Sequence, residues 1–185
     1  MNLKPQDVLV LLKLVAIDSE EWVYNQVAID LGMSPSEVHG AIKRAISAGL
    51  AIKNEKGIQP NYRNLAEFLI HGLRYVFVPE IGQMSRGIRT AHAGPPLDKV
   101  IVPDQEPPPV WPHPEGEDRG LGFSPLYKSA PDAAMRDPVL YELLVLVDAI
   151  RGGRAREREL AIKELNKRLD IKSREPKIQI SKFWK

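Results

Sequence analysis

The sequence predicts a mainly α fold with one small β-wing, followed by a long Pro-rich extended arm and a C-terminal helical hairpin. Three observations predict this order. Apolar residues recur at helical spacing before residue 76 and again after residue 138. Two short β-prone runs flank a turn between residues 50 and 60. Eleven of the sixteen prolines fall within residues 79–137, a density that favours polyproline-II, turns and coil over helix. The implied boundaries are 1–78, 79–137, 138–170 and a basic tail at 171–185.

Composition narrows the function classes. At 185 residues the chain is long enough for one domain with an appendage or for two small ones. It is 43% hydrophobic and 27% charged, an ordinary globular balance. A formal charge of only +2 argues against a protein that coats nucleic acid by charge alone. No cysteine is present, which removes disulfides, thiol catalysis and cysteine zinc sites and fits a reducing cytoplasm. The early apolar run, residues 8–17, is broken by Lys13 and is too short to span a bilayer. It lacks a basic leader and a cleavage site, so no signal peptide is expected.

The first helix opens at Pro5 and continues to Ile17. It is apolar nearly all round, which implies burial on more than one side, against a second subunit or the C-terminal helices, or else as the core helix of a small domain. After a connection, Trp22 anchors the next element. The stretch VYNQVAIDLGMSPSEVHGAIKRAISAGLAI, residues 23–52, then reads as helix, tight turn, second helix and the start of a strand. Ser34 suits the N-cap, Pro35 the first helical position, and Glu37 completes a capping box. Met33 can staple onto Val38 across that cap. Gly32 suits the inter-helix turn and Gly49 a left-handed C-terminal cap.

Two faces follow from the 3.6-residue period. Val38, Ala41, Ile42 and Ala45 share an apolar side that should pack on Val27, Ala28 and Leu31. Ser36, His39, Gly40, Lys43 and Ser47 lie opposite, with Ser34 at the start and Arg44 on the flank. These groups are small, hydrogen-bonding or cationic, with no acid among them. Such a face suits the major groove, where a helix's first turns meet base edges. An ordinary solvated face is the other reading.

Leu50, Ala51 and Ile52 suit a short strand, residues 54–57 a turn, and Ile58 a return strand that Pro60 limits. Helix-turn-helix followed by a hairpin is the order of a winged helix. On these residues the chain resembles the winged-helix transcriptional regulators of bacteria, MarR-like in their N-terminal order. The resemblance covers roughly residues 5–75, about two-fifths of the chain. It implies that the second helix reads double-stranded DNA, through Ser34, Ser36, His39, Gly40, Lys43, Arg44 and Ser47. Lys53 and Lys56 would then touch phosphates from the wing. Charge pulls the other way. Residues 1–60 hold six Lys/Arg against seven Asp/Glu, whereas a DNA binder usually shows a basic footprint. The cations from residue 43 onward, however, all lie on the reader helix or wing.

A further helix is expected over residues 61–75, with His71 a structural or solvent-facing residue. The arm carries Ile81, Ile88, Val100, Ile101, Trp111, Leu121, Phe123, Leu126 and Tyr127, which favour burial. It should therefore lie along the folded parts or along a partner, with short strands at 99–102 and 120–123. In SRGIRTAHAGPP, Arg86, Arg89 and His92 suit a minor-groove or phosphate contact, a site for an acidic partner, or a surface loop whose arginines pair with local acids. In VWPHPEGEDRG, His113 and nearby acids sit on one turn, too few converging ligands for a metal.

Asp137-Pro138 restarts helix as N-cap and first-turn pair. One helix runs to Arg151, Gly152-Gly153 break it, and a second runs from about 154 to 169. This hairpin and the first helix together offer apolar surface for a homodimer. Residues 136–185 hold thirteen Lys/Arg against eight Asp/Glu, and the basic tail adds Ile178, Ile180, Phe183 and Trp184. Strand addition, nucleic-acid contact or a loose terminus all fit it.

No Gly-rich phosphate loop, HExxH or G-x-S-x-G is present, and the four histidines show no metal spacing. The sequence therefore implies no enzyme, cofactor, metal site or membrane span. It implies a cytoplasmic, dimeric, sequence-specific DNA-binding regulator, most simply a repressor. By analogy, a repressor with a long arm suits the antitoxin of a toxin–antitoxin or defence operon, its toxin held on the arm or C-terminal helices. Two alternatives stand: a small-ligand-sensing regulator, and a winged-helix protein-interaction adaptor that binds no DNA.

Overall fold

Helix α1 (Pro5–Ile17) is the axis of the molecule. Its residues 7–15 are all buried, so neither of its sides is left for solvent. The computed structural model describes residues 2–18, 21–55, 57–103 and 105–170 of the chain. Lys56 and the tail at 171–185 lie outside the described residues, and so do the readings made for them above.

Helices α2 (Tyr24–Leu31) and α3 (Pro35–Ser47) pack against α1 and each other. Gly32 ends α2 at φ +61°, in the left-handed region that glycine adopts without steric cost. An antiparallel hairpin follows, β1 (Ala51–Asn54) with β2 (Gly57–Pro60), in the register Ala51 opposite Pro60. The indole N–H of Trp22 donates to the Ile58 carbonyl at 3.2 Å and ties this hairpin to the start of α2.

The helix expected over residues 61–75 is interrupted. It is α4 (Tyr62–Glu67), a π-helical turn at Phe68–Gly72, and α5 (Leu73–Val76). Leu65, Leu69 and Leu73 remain fully buried along it, so the wider turn leaves the apolar face continuous. His71 is exposed on that turn.

The Pro-rich segment is folded. Strands β3 (Ile81–Arg89), β4 (Pro109–Pro112) and β5 (Asp118–Phe123) each pair with the other two, closing a small three-stranded barrel. β3 runs antiparallel to both partners, and β4 and β5 are parallel. Close approach demands glycine here: a Cβ at Gly87 would overlap the Trp111 backbone, and one at Gly120 the Pro108 carbonyl. The strand expected at 120–123 falls within β5. The one expected at 99–102 is corrected. Leu97 is buried in a 3₁₀ turn (Leu97–Lys99), and its carbonyl accepts the N–H groups of Val100 and Ile101 at 3.0 and 2.9 Å. That turn leaves Val100 and Val102 exposed, away from any ladder.

Three helices complete the chain: α6 (Ala130–Arg136), α7 (Pro138–Gly152) and α8 (Ala155–Leu169). Asp137 caps α7, accepting from the N–H groups of Val139 and Leu140 at 3.1 and 3.0 Å. Helix α7 packs on α1, α6 and α8, and its residues 143–151 are buried without a break. The apolar circumference of α1 and α7, expected to serve a dimer, is thus covered within one chain. One hydrophobic cluster runs from Val8 to Leu169, and the segments delimited by composition share it.

Buried charges lock these layers. Asp148 of α7, fully buried, accepts from Thr90 Oγ1 at 2.8 Å and from the Trp111 indole at 2.7 Å. Arg151 pairs with it at 2.7 Å and donates to the Phe77 and Ser124 carbonyls at 3.1 and 2.9 Å. The barrel is thereby fastened to α7. Lys13 bridges Asp30 and Asp137 at 2.9 and 2.8 Å and joins α1 to α2 and to the α7 cap. Burial pulls the Lys13 ammonium down, but its bonds to the two carboxylates outweigh this and leave it raised. Among the described residues, no helix is long and apolar enough to cross a membrane.

Candidate nucleic-acid interface

Helix α3 carries the candidate interface, and its first turn is built as the sequence implies. Ser34 Oγ accepts the Glu37 N–H at 3.2 Å, while the Glu37 carboxylate accepts the Ser34 N–H at 2.8 Å. That backbone N–H, with the Ser34 hydroxyl, holds the Glu37 carboxyl below its ordinary range. At the far end the Leu50 N–H bonds to the Ala45 carbonyl and the Gly49 N–H to Ile46, with Gly49 at φ +72°. This is the Schellman closure that glycine permits.

Val38, Ala41, Ile42 and Ala45 are buried, and Met33 joins the same core. Ser34, Ser36, His39, Lys43 and Ser47 are exposed. No hydrogen bond or ion pair engages the Lys43 ammonium among the described residues. The His39 ring sits 5.4 Å from that of Tyr24, which meets Trp22 edge-on at 5.2 Å. An aromatic ladder therefore connects the hairpin to the exposed face of α3. Lys53 is exposed on β1.

Arg44 departs from the expectation. It turns inward from the flank and grips the fully buried Asp7 with two bonds, Nη2 to Oδ1 at 2.6 Å and Nε to Oδ2 at 2.8 Å. Its guanidinium lies over Gly40, where an added Cβ would stand 3.3 Å from Nη1. Gly40 is thus half-covered, a seat for Arg44 more than part of the open face. A buried carboxylate needs a cation, and Arg44 is the one supplied. Arg44 is therefore removed from the groove-reading set.

Comparison with family models, curated proteins and solved structures finds no match for this chain. The site stands on its own geometry.

Two neighbours of α3 escape sequence reasoning. The Tyr127 hydroxyl donates to Glu37 Oε1 at 3.2 Å, across ninety residues of chain. Lys128, exposed beside it, adds positive charge that helps to lower the Glu37 carboxyl. No local signal marks this pair, because only tertiary packing brings the segment after β5 to the first turn of α3.

The arm arginines separate. Arg89 pairs with Asp118 at 2.7 Å. Arg86 is exposed and lies directly opposite Arg119 in the β3–β5 ladder. Beyond Arg89 a cleft of about 370 Å³ is lined by Asp98, Glu115, Glu117, Asp118 and Tyr141. Burial, then the charges of Asp98 and Asp118, push the Tyr141 phenol up to about 12. His113 faces Asp132 at 3.0 Å and His92 faces Glu157 at 3.5 Å. Among the described residues no three His, Asp or Glu side chains gather as a metal site would need.

Proposed function

We propose that this chain is a winged-helix, sequence-specific DNA-binding transcriptional regulator acting in the cytoplasm, with α3 as the reader and the β1–β2 hairpin as the wing. One observation carries the proposal: beyond the Ser34–Glu37 cap, α3 exposes Ser36, His39, Lys43 and Ser47 on a side that carries no acid, while its aliphatic side is buried. Hydroxyls, an imidazole and one ammonium supply the donors and acceptors that base edges and phosphates take up. Lys53 and Lys128 place two more cations on elements beside the helix. Repression and an antitoxin role are the finer parts of this reading.

A dimer remains in the proposal on the geometry of operators, since half-sites one turn apart need two readers. Its surface must be found outside α1 and α7. The experiment is a gel shift on the DNA upstream of the protein's own gene, repeated across salt concentrations. Retarded complexes that weaken steeply with salt are expected, and Lys43→Ala should lose the preference for that DNA over a scrambled duplex. No retardation at low salt would overturn the reading in favour of a protein-interaction adaptor.

A further inference from the structure

The β3–β5 ladder sets Arg86 directly across from Arg119. Directly opposed residues of an antiparallel pair lie on one face with Cβ atoms about 5 Å apart, and like charges there are destabilising. Both arginines are exposed, and neither has an ion-pair partner among the described residues. The contrast with Arg89 matters. Three positions along the same strand, that arginine is neutralised by Asp118 at 2.7 Å. Asp118 stands next to Arg119 in β5, where it pairs in register with Gly87 and bridges away from the opposed arginines. Two guanidiniums carried on opposed positions of a closed, glycine-tight barrel, without an ion-pair partner among the described residues, concentrate positive charge there at a cost in stability.

From this we infer that Arg86 and Arg119 form a two-pronged contact for the phosphodiester backbone of DNA. The inference rests on the DNA-binding reading and adds a second contact surface to it. Guanidinium forks match phosphate oxygens in geometry as well as charge. Position also fits. The eight Cα–Cα steps from Arg119 to Tyr127 span at most about 29 Å, and the Tyr127 hydroxyl lies 3.2 Å from Glu37 in the first turn of α3. With the reach of the Tyr127 and Glu37 side chains added, the arginine pair lies within roughly 45 Å of the first turn of α3, under two turns of duplex. Backbone contacts carry no sequence information, so this pair supplies affinity and register while α3 supplies choice.

The test measures binding of the full chain to the upstream duplex and to a scrambled duplex over a salt series. Arg86→Gln with Arg119→Gln should weaken both duplexes alike and lower the slope of log K against log salt by about two, one per arginine. Thermal melting should be unchanged or raised, because the substitutions relieve repulsion. Lys43→Ala should instead erase the difference between the duplexes. A double variant with the wild-type slope overturns the arginine contact and leaves the α3 reading standing. A wild-type chain that binds neither duplex overturns both. Side-chain Nε–Hε resonances of the two arginines should shift on adding duplex. Equal shifts with inorganic phosphate alone, at matched phosphate concentration, would mark a free-anion site and also overturn the inference.

Discussion

Arg44 and Lys43 are adjacent in sequence and opposite in consequence. Arg44 neutralises a buried carboxylate, so Arg44→Ala strands Asp7 without a counter-charge. Breaking one side of such a pair should cost about 3 kcal/mol or more, read as a lower denaturation midpoint. Lys43→Ala removes an exposed ammonium and should leave that midpoint within about 0.5 kcal/mol while weakening DNA binding. Equal destabilisation by both would contradict the geometry. Tyr141 gives a second prediction at this scale. Its folded pKa, about 12, lies above the ordinary tyrosine value of 10.0, so the folded state binds the phenolic proton more tightly than the unfolded state. The associated stability is complete below the unfolded value and is lost as pH rises toward the folded one. Ultraviolet titration should show a late phenolate that Tyr141→Phe removes.

At the scale of the element, α3 shows local rules at their most reliable. Its start depends on a serine, a proline and a glutamate within four positions, and its end on Gly49. Ser34→Ala should lower stability by about 1 kcal/mol through loss of the cap, and Ser34→Asp should restore most of it. Chemical denaturation of the two variants decides this; equal stability of Ala and Asp would mean that the cap is not limiting. The three-stranded barrel behaves differently. Proline density made its segment read as an extended arm, and Ile81–Arg89 lacks the alternation that marks a half-buried strand. The partners of β3 lie twenty-one to forty-two positions away, farther than a local window of sequence reaches.

For the whole molecule, the deciding feature is one core shared from α1 to α8. Each fully buried Leu or Val side chain contributes about 1.5–3 kcal/mol, and α1 carries several whose cover comes from α7. A fragment of residues 1–78 should therefore fail to fold cooperatively, whereas residues 1–170 should unfold in one transition. Calorimetry of both checks this, and a sharp independent melt of the short fragment would show that the first helices need no cover.

What the sequence determined by itself is whatever depends on neighbours within about one helical turn. The caps at Ser34 and Asp137, the left-handed glycines, the hairpin at 51–60, the break at Gly152-Gly153 and the two faces of α3 are of this kind. Their free energies come from hydrogen bonds and side-chain contacts between residues a few positions apart. Tertiary structure alone decided the rest. It turned Arg44 toward Asp7, covered α1 with α7, closed the Pro-rich segment into a barrel and brought Tyr127 to Glu37. The physical reason is common to all four: an apolar surface or a buried charge fixes the kind of partner it requires, and only the packed chain fixes which residue arrives.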